Sequence, residues 1–198
     1  MDLKIIDDFL PEDEFEKIET NLMGHMFPWY YVKKITDEDH KLNSPGYQYQ
    51  FCHVLFAEHQ IMSNFFQLML PVLEKLKAKS LFRIKANMYF PSRSGKVEHH
   101  APHIDSSFKH QGALFYLTTC DAPTTMADGT PIESIENRLL LFDPVTNHSS
   151  SSPTNAPYRQ TINFNYFGAG VKADYKDKMF SPIPVISKNA EKLDEFWV

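Results

Sequence analysis

From residue 81 onward the chain alternates apolar and polar residues with a period of two, and this pattern restricts it to folds built from β-strands. Alternate residues of a strand face the same side, so strict alternation is typical of a strand with one buried face. The first run spans 81–90, where the apolar members are Phe82, Ile84, Ala86, Met88 and Phe90. Further strands are predicted at 47–56, 112–120, 138–142 and 158–167, with turns at 91–95, 121–123, 128–129 and 143–144. Short strands at this spacing predict a sandwich or a barrel.

Two helical patterns precede these strands. The first places Phe15, Ile18 and Leu22 at helical spacing and ends at Gly24. The second runs over about 59–78, and Pro71 within it is expected to kink or split the helix. Its apolar stripe consists of Ile61, Phe65, Leu68, Val72 and Leu76. Because no repeat or linker divides the chain, we predict a single α+β domain over 1–198, with the N-terminal helices packed outside the β-core.

Composition and charge argue against several classes of protein. The chain has 198 residues, 42% hydrophobic and 23% charged, which is the balance of a globular domain with its own core. Its net charge of −5 does not indicate a nucleic-acid partner. The acidic start lacks the apolar segment of a secretory signal, no stretch resembles a membrane span, and Cys52 and Cys120 are expected to be free thiols. We therefore expect a cytoplasmic protein without a nucleic-acid or membrane partner.

The last predicted strand has one polar and one largely apolar face. The polar face carries Arg159, Thr161, Asn163 and Asn165. The opposite face carries Gln160, Ile162, Phe164 and Tyr166. The polar face could point to solvent, or it could line the interior of a barrel and form a polar ligand site. The alternation by itself does not decide between these two orientations.

Three histidines and a carboxylate lie within residues 99–105. In an extended segment His103 and Asp105 present an imidazole and a carboxylate to the same side, because they are two positions apart. A histidine from another strand would complete a facial triad, a set of two histidines and one carboxylate that holds iron(II) and leaves positions open. The candidates for this further histidine are His99, His100, His110 and His148.

His148 follows Asp105 by 43 residues, and Arg159 and Thr161 come next on the last predicted strand. With these residues in this order, the sequence resembles the 2-oxoglutarate/iron(II) oxygenase superfamily, and within it the prolyl-4-hydroxylase-like group of bacteria and phages. The resemblance covers most of 80–168 and, more loosely, the N-terminal helix. The matching elements are, in chain order, Ile5-Ile6-Asp7-Asp8-Phe9-Leu10, the His-x-Asp at 103–105, Leu114-Phe115-Tyr116-Leu117, Gly129-Thr130, Leu139-Leu140-Leu141-Phe142, His148 and Arg159-Gln160-Thr161.

The resemblance implies a fold, a metal and a reaction. The fold is a double-stranded β-helix, or jelly roll, over about 80–168. The catalytic metal ligands are His103, Asp105 and His148, which would hold iron(II) and leave three positions for a bidentate 2-oxo acid and dioxygen. Enzymes of this superfamily convert 2-oxoglutarate to succinate and CO2 while they hydroxylate a substrate.

The resemblance also implies a binding site for the cosubstrate 2-oxoglutarate. Arg159 offers a planar fork that suits the distal carboxylate in bidentate fashion. Thr161, on the same strand face, can donate a hydroxyl hydrogen bond to that carboxylate. Tyr89 and Asn87 lie on the polar face of the strand before the His-x-Asp and are expected to make further contacts.

Two departures from the family pattern bear on the substrate. Residues 127–130 match only part of the Gly-Gly-Glu-Thr loop of prolyl hydroxylases, and Arg159 stands where that group commonly has lysine. These differences put a prolyl substrate in doubt more than they do the cosubstrate. We expect a polar small molecule or a short peptide, with a free or peptidyl proline-like amino acid among the options, bound by a monomer or a homodimer.

Other readings of the same residues remain open. A cupin-type metal enzyme that does not use 2-oxoglutarate, or a zinc hydrolase, would use the histidines and the carboxylate and leave Arg159 incidental. A non-catalytic module would keep the metal for structure or recognition. Outside the triad, His99 and His100 are predicted to be solvated loop histidines and His110 an ordinary polar loop residue. The aromatic segment 27–31 is predicted to fill core.

Overall fold

The computed structural model describes residues 3–35 and 49–168, so the first two residues of the strand predicted at 47–56 lie outside the described part. Its elements are, in chain order, β1 (Lys4–Ile6), α1 (Glu12–Met23), β2 (Tyr30–Val32), β3 (Gln50–Ala57), β4 (Gln60–Ile61), a 3-10 helix (Asn64–Met69), α2 (Leu70–Leu76), β5 (Ala78–Tyr89), β6 (Glu98–His99), β7 (Gln111–Tyr116), β8 (Cys120–Met126), β9 (Pro131–Ser134), β10 (Arg138–Phe142), β11 (His148–Ser149), β12 (Ser151–Ser152) and β13 (Arg159–Gly168).

The strands form one large antiparallel sheet and two small ones. The large sheet has eight strands in the order β1-β10-β7-β13-β5-β3-β2, with β4 paired to β3. The small sheets have the orders β11-β8-β9 and β12-β6. A mostly antiparallel architecture with few helices is consistent with the predicted jelly-roll core.

The large sheet buries one face in the main hydrophobic core. Strand β13 lies between β7 and β5, and its Ile162, Phe164 and Tyr166 are fully buried in this core. Burial of each such side chain contributes about 1.5–3 kcal/mol, so this face is a major source of stability. The helices contribute Phe15, Ile18, Leu22, Val72, Leu73 and Leu76 to the same core.

The opposite face of the large sheet lines an interior cavity. On β13, Arg159, Thr161 and Asn163 line a cavity there. Beside the cavity, strands of the large sheet pack on β8 and β9 through a second apolar cluster. This cluster consists of Leu114, Tyr116, Met126, Ile132, Leu140 and Phe142. The polar face of the last strand therefore lines the interior, which the alternation alone left open.

The helix predicted over 59–78 is wrong in its first part. Glu58 and His59 both have positive φ, of 50° and 63°, and form the two-residue turn of the β3–β4 hairpin. Two successive positive φ values suit a tight hairpin rather than a helix. Ile61, placed on the apolar stripe, is instead 45% exposed on β4. Pro71 divides the remainder as expected, because it lies in the first turn of α2, where its missing N–H is harmless.

The turn predicted at 121–123 is also wrong, because these residues lie within β8. The pairing of β8 with β9 shifts its register between Cys120 and Thr124. Pro123 falls in this irregular stretch, where a strand tolerates a residue without an N–H. The Asp121 carboxylate accepts hydrogen bonds from Thr154 and Asn155, which fixes β8 to the loop between β12 and β13.

Two smaller predictions can be compared with the fold. In the aromatic segment 27–31, Phe27 is buried, whereas Tyr30 and Tyr31 are 49% and 60% exposed, so the core prediction is wrong for the two tyrosines. Cys52 and Cys120 are both free thiols, as predicted.

Asn137 ties the N-terminal segment to the sheet. Its side chain accepts from the Leu10 N–H at 2.9 Å and donates to the Leu10 carbonyl at 2.8 Å, and its own carbonyl accepts from the Phe9 N–H at 2.8 Å. Its φ of 55° is one that asparagine tolerates better than most residues. Asn137→Ala should therefore lower the free energy of unfolding by about 2–4 kcal/mol, since it leaves two buried backbone groups unpaired and strains the backbone. Urea unfolding measures this loss.

Two variants separate the causes of this loss. Asn137→Gly relieves the backbone strain and should be less damaging than Asn137→Ala. Asn155→Ala removes an exposed amide that accepts one backbone hydrogen bond and should change stability by less than about 1 kcal/mol. Equal losses in Asn137→Ala and Asn155→Ala would contradict the role given to Asn137.

Candidate functional site

The interior cavity has a volume of about 980 Å³ and brings together every site residue predicted from the sequence. Strands β5 and β13 form one wall, where cross-strand pairing sets Tyr89 opposite Arg159 and Asn87 opposite Thr161. The segments that hold the His-x-Asp and His148 form another part of the lining. The cavity lies at the upper end of the size range of small-molecule sites.

His103, Asp105 and His148 form a cluster suited to a metal ion. Each offers one ligand atom, and the three atoms lie within 4.8 Å of one another. The backbone sets this arrangement, because His103 and His148 are an antiparallel pair that exchanges both N–H···O bonds, at 2.9 and 3.0 Å. A third bond, from the Asp105 N–H to the Pro144 carbonyl at 2.9 Å, holds the carboxylate end of the His-x-Asp segment to the same chain stretch.

Both histidines of the cluster are oriented by backbone carbonyls. Nδ1 of His148 lies 3.0 Å from the Thr146 carbonyl, and Nδ1 of His103 lies 3.4 Å from the Ala101 carbonyl. A carbonyl only accepts, so Nδ1 carries the proton and Nε2 keeps its lone pair, as in most metal-binding histidines. Burial, together with the neighbouring His148, lowers the pKa of His103 to about 4. His103 is therefore neutral near pH 7, which is the form that binds metals.

Asp105 is held by a network of side chains. Arg83 donates to one carboxylate oxygen at 3.1 Å, and Asn163 donates to the other at 3.0 Å. Asn163 in turn accepts from Asn165 at 2.5 Å, and Asn165 lies 2.6 Å from Nε2 of His110. Burial raises the pKa of Asp105, but the surrounding positive and donor groups outweigh it and lower the pKa below its ordinary value. The carboxylate is thus fixed in its charged form.

Arg159 is a fully buried cation with unused hydrogen-bonding capacity. One guanidinium nitrogen, Nη2, donates to Oγ1 of Thr124 at 2.7 Å. Nε and Nη1 are buried without a partner among the described residues. The rings of Tyr89 and Tyr116 flank the guanidinium, with centroids 5.6 and 5.7 Å from Cζ. A buried charge without a counter-ion is strongly disfavoured, so an anionic ligand would suit this group.

The other three predicted cosubstrate contacts also line the cavity. Asn87 is buried, and its Oδ1 has no hydrogen-bond partner among the residues that the structure describes. Tyr89 is buried and hydrogen-bonds to Ser150, and burial raises the pKa of its hydroxyl. Both side chains share the wall of the cavity with Thr161.

Two histidine predictions are wrong. His100 is buried rather than solvated, because its Nδ1 and Nε2 lie 2.7 and 3.1 Å from the hydroxyls of Ser150 and Ser152. His110 is buried as well and contacts Asn165 rather than solvent. Only His99, on the short strand β6, is exposed as expected. The partners of these two histidines are 50 or more positions away in sequence, so no local pattern indicates their burial.

Several residues that support the site were not predicted in their roles. Arg83 and Asn163 fix Asp105, and both lie on polar strand faces that the alternation had marked, so a signal existed. Thr124 accepts a hydrogen bond from Arg159. It directly follows the segment predicted as a turn, so no strand alternation indicated that its side chain faces the cavity. Lys85 also lines the cavity, between Arg83 and Asn87 on β5.

Comparison with known proteins rests on the fold. No protein-family model matches the sequence, and no curated protein matches it. An oxidoreductase of the 2OG-Fe(II) oxygenase family from Burkholderia pseudomallei matches with a TM-score of 0.62 and 11% identity over 86% of this chain and 89% of that one. This chain has the fold of the 2-oxoglutarate/iron(II) oxygenases.

Two further solved structures share the fold. The non-heme alpha-ketoglutarate-dependent epimerase SnoN from nogalamycin biosynthesis matches with a TM-score of 0.55 and 11% identity over 84% of this chain and 78% of that one. A prolyl-4-hydroxylase from Pseudomonas putida matches with a TM-score of 0.50 and 12% identity over 83% of this chain and 92% of that one.

Within the described residues, no helix is both long and apolar enough to cross a membrane.

The metal cluster can be tested by substitution. His103→Ala, Asp105→Ala and His148→Ala should each weaken iron(II) binding by more than about a hundredfold, because loss of a ligand exceeds the ten- to hundredfold effect of its outer partners. Anaerobic titration with iron(II) measures the affinity. His99→Ala, an exposed histidine in the same segment, should leave it unchanged. Full affinity in His148→Ala, with loss in His99→Ala or His110→Ala, would show that the third ligand is assigned wrongly.

His100 should make stability depend on pH. Burial, with Arg159, His99 and His103 adding to it, lowers the pKa of His100 to about 3, whereas an unfolded histidine titrates near 6.5. The contribution of neutral His100 to the free energy of unfolding is therefore present above about pH 6.5 and is lost as the pH falls toward 3. The unfolding free energy should fall by up to about 1.4 kcal/mol per pH unit in this range. The difference in unfolding free energy between the unsubstituted protein and His100→Asn should shrink between pH 7 and pH 4.5 in urea titrations. A constant difference would contradict a buried, neutral His100, and His99→Asn serves as the exposed control.

Proposed function

We propose that this protein is an iron(II)- and 2-oxoglutarate-dependent dioxygenase that hydroxylates a small molecule or an amino acid, free or in a peptide, and releases succinate and CO2. One observation carries the proposal. One cavity holds a cluster of two histidines and a carboxylate and, separately, a buried arginine that has no counter-ion among the described residues. The first suits a metal, and the second suits the distal carboxylate of a dicarboxylic acid.

The donor set at the metal cluster fits iron(II). Two neutral imidazoles and one carboxylate are the ligands of the facial triad, which leaves positions open for a cosubstrate and dioxygen. His103, Asp105 and His148 would hold the ion. Bound there, iron(II) would supply the activation of dioxygen that the reaction requires. The carbonyls behind the imidazoles, and Arg83 and Asn163 behind the carboxylate, keep the ligands oriented.

Arg159 fits the distal carboxylate of 2-oxoglutarate. Its Nε and Nη1 are buried donors without a partner among the described residues, and they belong to a planar, charged group that suits a carboxylate. Thr124 and the two flanking tyrosine rings hold the guanidinium in place before the anion arrives. Thr161 and Asn87 offer further polar contacts along the same wall.

The buried arginine also discriminates between this function and the alternatives. A cupin-type enzyme without 2-oxoglutarate, a zinc hydrolase or a structural metal module would leave Nε and Nη1 of Arg159 unsatisfied in the interior. Such groups cost about 1–3 kcal/mol each, and more when charged. The fold is shared by an enzyme named a hydroxylase and by one named an epimerase, so the fold alone does not identify the substrate.

Cytoplasmic location and a monomeric or dimeric state remain predictions.

The class of enzyme is tested with purified protein. Anaerobic addition of iron(II) and 2-oxoglutarate should produce a weak visible absorption from metal-to-ligand charge transfer. In air, succinate should form only when 2-oxoglutarate is present. A screen of amino acids, proline-rich peptides and polar metabolites, read by a mass gain of one oxygen, would then find the substrate. Absence of both the absorption and the succinate would refute the proposal.

Arg159→Met should weaken 2-oxoglutarate binding on the order of a hundredfold while metal binding persists, because it removes a charge-assisted bidentate contact worth a few kcal/mol. Thr161→Val should have a milder effect of the same kind. Titration of the manganese-loaded protein with 2-oxoglutarate measures both. Arg138→Met, which removes an arginine paired with Asp7 outside the cavity, is the matched control and should retain full affinity. Unchanged affinity in Arg159→Met would remove the main support for 2-oxoglutarate.

A further inference from the structure

The cavity is strongly cationic although the chain as a whole is acidic. Among the described residues that line it, five are cations and one, Asp105, is a carboxylate. The cations are Lys33, Lys34, Arg83, Lys85 and Arg159. The net charge of the chain is −5, so the excess positive charge is a local property of this cavity. A cleft lined by one sign of charge attracts ligands of the opposite sign.

The proposed metal and cosubstrate do not neutralise this excess. Iron(II) and 2-oxoglutarate carry equal and opposite charges, so their binding together leaves the charge of the cavity unchanged. Within that arrangement Asp105 serves the metal and Arg159 serves the distal carboxylate. The positive charge that remains belongs mainly to Lys85 and Arg83 inside the cavity and to Lys33 and Lys34, which are exposed.

Lys85 is the interior cation without an assigned partner. It lies on β5 directly opposite Asn163, the residue that holds Asp105, so its ammonium belongs to the metal end of the cavity. No hydrogen bond or ion pair joins Lys85 to another residue within 3–35 and 49–168. Burial and the nearby Arg83 lower the pKa of Lys85 by more than Cys52 and the Asp105 carboxylate raise it.

Lys85 is also well separated from the cosubstrate arginine along the sheet. Arg159 pairs with Tyr89, which is four residues beyond Lys85 on β5. This spacing corresponds to about 13 Å of strand. The distal carboxylate of 2-oxoglutarate at Arg159 and an anion at Lys85 would therefore occupy different parts of the cavity.

Arg83 supports the same conclusion. Its Nη2 is bound to Asp105, but its Nε is buried without a partner among the described residues. Near the two exposed lysines, Gln50 donates to the carbonyls of Lys34 and Ile35 at 3.4 and 3.3 Å, which fixes this segment to β3. Lys33 and Lys34 thus line the same cavity as Arg83 and Lys85.

We propose that Lys85, with Arg83 beside it, binds an anionic group of the molecule that is oxidised, and that this substrate is a small carboxylate or phosphate. The inference rests on the proposed function and specifies its substrate class. In the reaction, one C–H bond of the substrate becomes C–OH, and one oxygen atom of dioxygen enters the substrate. The other oxygen atom enters succinate as 2-oxoglutarate loses CO2. The anionic group is unchanged throughout and serves to orient the substrate.

The test uses protein loaded with manganese(II) and N-oxalylglycine, a non-reactive analogue of 2-oxoglutarate that fills the Arg159 position. Benzoate, phenyl phosphate and benzamide are titrated by calorimetry at low salt, so that two anions are compared with a neutral molecule of the same skeleton. At least one anion should bind tenfold more tightly than benzamide, and the stronger of the two distinguishes a carboxylate from a phosphate site. Equal binding of all three would overturn the proposal.

Variants of one strand provide the controls. Lys85→Met should abolish the preference for anions, whereas Lys85→Arg should keep it, which separates loss of charge from loss of folding. Lys79→Met removes an exposed lysine from the same strand and changes the net charge by the same amount as Lys85→Met. The Lys79→Met protein should bind anions like the unsubstituted protein. An anion preference that survives Lys85→Met, or that disappears equally in Lys79→Met, would show that Lys85 is not the site.

Binding of N-oxalylglycine separates failure of this inference from failure of the proposed function. Lys85→Met should retain affinity for the analogue within about twofold. If Lys85→Met loses that affinity and Arg159→Met does not, Lys85 is the cosubstrate ligand and the substrate site proposed here is wrong. If the unsubstituted protein does not bind the analogue at all, the oxygenase function fails. The anion titrations of the metal-free Arg159→Met protein then still report whether Lys85 binds an anion.

Discussion

The antiparallel pairing of β5 with β13 determines most of what this molecule can do. The two strands run in register from the Arg159–Tyr89 pair to the Asn165–Arg83 pair. Because side chains alternate along a strand, one face of the pair enters the apolar core and the other presents a row of polar groups to the cavity. A shift by one residue would exchange the two faces, bury the charges in the core and expose Ile162 and Phe164. The register is therefore fixed by the same hydrophobic burial that stabilises the sheet.

The charges on the polar face are balanced unequally. Asp105 receives hydrogen bonds from Arg83 and Asn163, which offset the loss of hydration on burial. Neither Arg159 nor Lys85 forms an ion pair with a carboxylate among the described residues. Unpaired interior cations reduce stability, so the fold tolerates them only because the apolar face is extensive. A cavity of this kind is arranged for ligands that supply the missing negative charge.

The sequence predicted which residues share the cavity better than it predicted some of the surrounding elements. Alternation in 158–167 and 81–90 was sufficient to identify β13, β5 and their polar faces, because strand geometry is local. The resemblance to a known superfamily then selected His148 among four candidate histidines, and the structure does bring it to His103 and Asp105. By contrast, the hairpin at Glu58 and His59 was read as helix, since its apolar residues happen to fall at helical spacing. The burial of His100 and His110 depends on serine and asparagine partners distant in sequence, which no local pattern reveals.

The central claim is that one cavity binds a metal at the histidine–aspartate cluster and a dicarboxylate at Arg159. A crystal structure of the protein grown anaerobically with manganese(II) and 2-oxoglutarate tests it most directly, with anomalous scattering to locate the metal. The account predicts one metal bound by His103, Asp105 and His148, and the distal carboxylate of 2-oxoglutarate hydrogen-bonded to the guanidinium of Arg159. A metal bound elsewhere, or a 2-oxoglutarate molecule that does not contact Arg159, would contradict it.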